Sequence, residues 1–222
     1  IIDRNILTHL IRLLTTGELK DSFIRKEIGS LMLWAQFNSI SINSGFALSE
    51  YAHGKKQNEE ASAENNLFLK AFNFYPIQVW LDLALDRRKT IPVLSVENQI
   101  DYTFYEEYDH FKMHFLEMLV IARLFLDKEM EVENKFRIFH TWVYDNILIC
   151  RYTSIYFALL LSGKLKTFNK VIPEYQSLVK KCKNQAWDLS YLSLWSTLYH
   201  GEGESDTIYL FSTFDNELKD IF

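Results

Sequence analysis

Four acidic residues, Asp3, Glu50, Asp188 and Asp215, stand in local settings that suit one shared metal site. Asp3 closes the apolar start Ile1-Ile2 and is followed by Arg4-Asn5-Ile6-Leu7. Glu50 lies in the stretch from Ser41 to Ala52, which contains Ser44-Gly45. Asp188 lies in Ala186-Trp187-Asp188-Leu189-Ser190, and Asp215 ends Phe211-Ser212-Thr213-Phe214-Asp215. Asp3 and Asp215 follow short β-like runs, so each would sit at the carboxyl end of a strand, where open α/β sheets build their sites. Several carboxylates meeting there cannot all stay ionised without a cation. Hard cations such as Mg²⁺ or Mn²⁺ take oxygen ligands of this kind, usually together with substrate phosphates. The chemistry expected of such a group is metal-assisted phosphodiester hydrolysis, in which bound metal activates water and stabilises both attacking and leaving oxygens.

In this reading Asp3 and Asp215 are the primary ligands, and Glu50 and Asp188 bind metal directly or through water. Asn5, Ser44 and Thr213 would orient the ligands from behind. Lys180, Lys181 and Lys183, just before Asp188, are candidate phosphate contacts, although cations also favour helix ends for their own sake. His53 follows Glu50 by about one helical turn and is a further candidate for the substrate side. A rival for the third acid is Asp145, in Tyr144-Asp145-Asn146-Ile147, which would open an apolar helix. Each acid also has a plainer reading, as a helix cap or a solvated surface residue.

The order of these motifs resembles the PIN-domain nucleases. Members of that family open on a strand ending in Asp, often followed by a small residue and Asn, as in Asp3-Arg4-Asn5. They then carry a Ser/Thr turn and a helical Glu, as in Ser44 to Glu50. A third acid begins a late helix, and a last strand ends in Thr-x-Asp, as in Thr213-Phe214-Asp215. The match covers about residues 1–54 and 184–222. It implies a PIN-like three-layer α/β/α fold with a central, mostly parallel sheet. It also implies a Mg²⁺- or Mn²⁺-dependent endonuclease, RNA as substrate more than DNA, and a toxin–antitoxin or phage-defence role. The chain departs from the family in the long gap between Glu50 and Asp188, so residues 55–183 would be an elaborated helical section within one domain spanning 1–222.

Composition bounds these expectations. The chain has 222 residues, 48% hydrophobic and 15% aromatic, enough for a full core. Only 7 Gly and 3 Pro point to a helix-rich protein. A net charge of −5 argues against a broadly basic nucleic-acid surface, so a local basic strip or a protein partner or inhibitor would supply the phosphate contacts; an oligomer is open. Two cysteines, Cys150 and Cys182, lack metal-ligand spacing and suit a reducing, cytoplasmic setting. The apolar stretch from Ile147 to Leu161 is broken by Arg151, Tyr152, Thr153 and Ser154 and is too short for a bilayer, so no membrane is expected.

Periodicity predicts helices over Ile6–Leu14 (ended by Gly17), Asp21–Phe37 (Asp21 as N-cap), Ser44–Gly54, Asn66–Phe72, Pro76–Leu85, Tyr102–Leu126 and Val132–Leu161. Two more would run from Pro173 towards Lys183 and over Asp188–Tyr199, with a terminal one from Asn216. Strands are expected at Ile1-Ile2, Ile40–Asn43, Ile91–Val96 and Thr207–Ser212, with loops over Lys55–Ala63 and Gly201–Asp206. Glu107, His110 and His114 form a Glu-x-x-His pattern with an i, i+4 His pair; a di-iron bundle needs a second copy, so chance is the preferred reading. Arg87-Arg88-Lys89 reads as a solvated helix end. Trp80, Phe111, Phe115, Trp142 and Phe157 fall at core spacings. The alternatives to an enzyme are a catalytically inactive PIN-like scaffold and a helical interaction subunit of a larger complex.

Overall fold

A computed structural model describes residues 1–221 except 56, 98, 105–107, 169–174 and 202–206, with the side chains of 54 and 55 also outside the description. Among the described residues there are ten α-helices and no strand or sheet. Two isolated β-bridges are present, a parallel one between Ile2 and Ser212 and an antiparallel one between Glu18 and Thr90. The expected three-layer α/β/α fold with a parallel sheet is therefore overturned, and with it the fold-level case for a PIN-domain protein. The chain divides into two compact units: Ile1–Glu106 with Leu210–Phe214, and Glu107–Tyr209 with Asp215–Phe222.

The first unit holds α1 (Arg4–Thr16), α2 (Ser22–Phe37), α3 (Gly45–Lys55), α4 (Asn58–Phe74) and α5 (Ile77–Ala84). Asp3 caps α1 by accepting the Ile6 N–H, and the helix buries Ile6, Leu7, Leu10, Leu13 and Leu14 along one stripe. It stops at Gly17, whose φ of 77° lies in the left-handed region and whose N–H returns to the Leu13 carbonyl. A Cβ at Gly17 would also stand 2.7 Å from the Ile91 carbonyl oxygen, so glycine is needed there twice over. Asp21 caps α2 through the Phe23 and Ile24 N–H groups, as its sequence position suggests. Helices α2 and α5 pack closely at Gly29, where a Cβ would meet the Ala84 nitrogen at 2.7 Å.

The runs expected as strands have other partners. The Ile91 N–H donates to the Gly17 carbonyl (2.8 Å) and the Leu94 N–H to the Leu14 carbonyl (2.8 Å), so this run closes the end of α1 instead of joining a ladder. Ile40 donates to the Ala35 carbonyl (2.8 Å) and so finishes α2. Residues 100–104, of which 102–104 are expected to begin a long helix, lie extended against α4. There Asn58, Ser62 and Asn66, at helical i, i+4 and i+8 positions, read their backbone. Asn66 donates to the Ile100 carbonyl (2.8 Å) and accepts the Ile100 N–H (3.0 Å). Asn58 likewise bonds the Tyr102 carbonyl and the Phe104 N–H, each at 2.7 Å. These side chains do the work of a neighbouring strand, and the backbone groups of the segment need no sheet.

The second unit holds α6 (Asp109–Leu126), α7 (Val132–Asn146), α8 (Arg151–Leu161), α9 (Tyr175–Gly201) and α10 (Asn216–Ile221). The expected single helix over 132–161 is broken by the extended residues 147–150, and Cys150 becomes the N-cap of α8. Conversely, the two late helices are one, α9, of 27 residues, roughly 40 Å long. No Gly or Pro interrupts it before Gly201. Trp80, Phe111 and Phe157 are buried as expected of core residues. No helix is long and apolar enough, among the described residues, to cross a membrane. The expected loop over 55–63 is instead the end of α3 and the start of α4, while the predicted loop at 202–206, the Pro173 helix start, and Glu107 lie outside the described residues.

Candidate functional site

In the first unit the two ends of the sequence meet at Asp3. The Ser212 N–H donates to the Ile1 carbonyl (3.0 Å), the Asp3 N–H to the Ser212 carbonyl (3.1 Å), and the Ile2 N–H to the Asn43 carbonyl (3.2 Å). Residues 1–3 therefore run between residue 43 and residues 210–213. Asp3 is only 3% exposed. Its Oδ1 accepts the Ile6 N–H (2.8 Å), and its Oδ2 accepts a short hydrogen bond from the Thr213 hydroxyl, 210 residues away in the chain. Beside it, Arg4 pairs with both oxygens of Glu64 and lays its guanidinium 4.0 Å from the centre of the Tyr51 ring.

Ser44 is buried at the start of α3, where its carbonyl accepts the Leu48 N–H and Asn43 Oδ1 accepts the Gly45 N–H (2.9 Å). This turn launches the helix that carries Glu50 and His53, both half-buried. Asn5 is exposed on α1.

The remaining predicted residues belong to the second unit. Asp188 is half-buried inside α9, not at a helix start, and accepts from the Gln185 side chain (3.1 Å). Asp215 Oδ1 accepts the Glu217 (2.7 Å) and Leu218 (3.3 Å) N–H groups ahead of α10. Asp145 is exposed in the last turn of α7, so it opens no helix. Lys181 is tied to the Thr167 carbonyl (3.0 Å), Lys183 lies 5.8 Å from the Phe115 ring centre, and Lys180 is exposed. Among the described residues no three His, Cys, Asp or Glu side chains are gathered so as to hold a metal ion.

The second unit also contains a polar cluster that spacing did not announce. His114, on α6, and Glu117, one turn later, are both 0% exposed. Glu117 Oε2 lies 2.7 Å from His114 Nδ1 and accepts the Thr153 hydroxyl at 2.7 Å. His114 Nε2 is 2.7 Å from the Ser193 hydroxyl, which in turn lies 3.6 Å from Cys150 Sγ. Burial opposes charge on the His114 ring, but bonding to Cys150 and Glu117 outweighs it and raises the ring to about 9. Burial likewise pushes the Cys150 thiol up, but His114, the Thr153 N–H and Ser193 bring it down to about 7. Cys182, by contrast, is held up at about 11 by burial. The one sequence signal was His114 and Glu117 sharing a face of an otherwise apolar helix at i, i+3. Their partners Thr153 and Ser193 lie 39 and 79 residues from His114, beyond the reach of any local pattern.

Compared with protein-family models, with curated proteins and with solved structures, the chain gives no match.

Proposed function

We propose that the chain is a metal-dependent phosphodiester hydrolase acting on nucleic acid, RNA before DNA, with Asp3 as its principal carboxylate. The observation that carries this reading is the burial of Asp3 where the first and last segments of the sequence join, its Oδ2 held by Thr213. A carboxylate kept at 3% exposure is costly unless its charge is used or compensated. The lack of a ready three-ligand group among the described residues does not fit a preformed metal cage. It does suit a magnesium-type ion, which is usually held by one or two carboxylates and by the phosphates of the substrate itself. The ion would supply charge neutralisation at the phosphate and an activated water.

In this reading Thr213 and the Ile6 N–H fix the orientation of the Asp3 carboxylate. Within the same unit, Glu50 is the further acid offered to the ion, and His53 the residue offered to the polymer. The net charge of −5 favours a basic protein partner that brings the nucleic acid in.

A second reading is a non-catalytic scaffold. It is favoured by the same two hydrogen bonds, because a carboxylate that caps α1 and receives Thr213 already has a structural role. Asp3→Asn separates the two. Asparagine caps helices about as well as aspartate, so the fold survives while the charge is lost. A mixture of single-stranded RNA and DNA is incubated with Mn²⁺ or Mg²⁺. Cleavage by the wild type and none by Asp3→Asn supports the hydrolase; equal cleavage by both, or none by either, supports the scaffold.

A further inference from the structure

We infer that Cys150, served by Ser193, His114 and Glu117, is the nucleophile of a second site in this chain, one that takes small apolar acyl esters. The site lies wholly in the second unit and uses none of the residues assigned to the hydrolase reading.

Geometry orders the protons along the cluster. Nδ1–H of His114 donates to Glu117 Oε2, which also accepts the Thr153 hydroxyl. With the ring charged, Nε2–H donates to the Ser193 oxygen (2.7 Å), and the Ser193 hydroxyl is then free to donate to Cys150 Sγ, 3.6 Å away. Nδ1 also lies 3.0 Å from the Thr153 oxygen, and the chain of bonds ends at Cys150 Sγ. Here Cys150 is half-buried and lines an open cavity of about 590 Å³, together with Ser193. Glu117 Oε1, buried without a hydrogen-bond partner, keeps an uncompensated acceptor beside the histidine and so favours its charged form.

The cavity indicates the substrate. Its apolar wall is Met113, Ile147, Leu148, Ile149 and Tyr152, with Leu148 and Ile149 exposed at the surface. The charged and titratable groups that face it are Asp109 and His110 from α6 and Arg151 from α8. Cys150 is also the N-cap of α8, whose first internal bond runs from the Ser154 N–H to the Cys150 carbonyl. The N–H groups of Arg151 and Tyr152 precede that bond and, with the helix dipole, can receive a developing oxyanion.

The step balances on these groups alone. The Cys150 thiolate adds to the ester carbonyl, a C–S bond forms and the ester C–O bond breaks. The departing alkoxide takes the proton that His114 Nε2 releases through Ser193. Neutral His114 then draws a proton from water, the hydroxide cleaves the C–S bond, and the carboxylic acid leaves with thiolate and imidazolium restored.

The probe is p-nitrophenyl acetate, applied to the full chain at pH 7, with acyl adducts located by mass spectrometry. The expected result is a single acetyl adduct on Cys150, none on Cys182, and none when Cys150 has first been blocked by iodoacetamide. In Ser193→Ala, with its circular dichroism unchanged, both acetylation and alkylation of Cys150 slow by roughly tenfold or more at pH 7, as the hydrogen-bonded path between sulfur and imidazole is cut. In a second variant, Thr153→Val, which leaves the path from sulfur to imidazole intact, the slowing is smaller. No adduct on Cys150, an adduct carried by Ser193 instead, or unchanged rates in Ser193→Ala would each overturn the inference.

Discussion

Two clusters of buried polar side chains, one in each unit, are built in opposite ways. In the first, polar side chains are matched to backbone: Asn58, Ser62 and Asn66 bond residues 100–104, and Asp3 caps α1. In the second, they are matched to one another: His114, Glu117, Thr153 and Ser193 form a connected set ending at Cys150. Side chains that satisfy backbone replace a missing sheet and are tied to the fold. Side chains that satisfy each other hold a proton in place, and the proposed second site draws on it. Asp3 stands between these uses, since Oδ1 serves the helix and Oδ2 faces a hydroxyl from the far end of the chain.

The contrast can be broken at several points. The largest effect is expected from Glu117→Ala, which leaves the buried His114 without its carboxylate. Removing one partner of a buried pair costs about 3–5 kcal/mol, to be read from urea unfolding. A loss below about 1 kcal/mol would mean that the ring is neutral in the fold. Next comes Asn66→Leu, which strands the N–H of Ile100 and leaves its carbonyl only the Ser62 hydroxyl, and should cost about 2 kcal/mol in the same assay. A neutral result there would show that residues 100–104 find other partners.

Thr213→Val should cost about 1–2 kcal/mol, because it removes a hydrogen bond to a carboxylate without disturbing the capping of α1. The smallest effect concerns pH. The His114 pKa is raised in the fold, so its contribution is complete below its unfolded pKa of 6.5 and fades as pH rises towards about 9. The Cys150 pKa is lowered from 9.0 to about 7, so its contribution grows over much the same range. The two slopes oppose each other, and wild-type stability should be nearly flat between about pH 7 and 9. Cys150→Ala removes the thiolate slope and, with it, the largest cause of the raised His114 pKa, so its Tm should also stay nearly flat over that range. A Tm falling by several degrees between about pH 7 and 9 in the variant would mean that Glu117 alone holds His114 charged.

Much of the helical order was legible in the sequence, because caps and stops are local. Asp21, Gly17 and the Ser44-Gly45 turn each act where their chemistry places them. The sheet was misread for a physical reason. Short apolar runs such as Ile91–Leu94 suit a strand or any buried extended segment, and only tertiary contacts decide between them. Here the end of α1 and the side chains of α4 supply the bonds that a neighbouring strand would have supplied. Asp3 and Thr213 could be singled out from their settings, but their hydrogen bond is not something spacing can reveal. The His114 cluster was hidden for the same reason. Its pattern suggested a chance Glu-x-x-His in Glu107 and His110, while its partners come from three separate helices and one cap.

The most direct measurement is metal-dependent cleavage of single-stranded RNA and DNA by the wild type, Asp3→Asn and Cys150→Ser side by side. The account predicts cutting by the wild type and by Cys150→Ser, and a loss of more than about 100-fold in Asp3→Asn, the effect of removing a ligand exceeding that of removing its support. Undiminished cutting by a folded Asp3→Asn, or no cutting by any of the three, would contradict it.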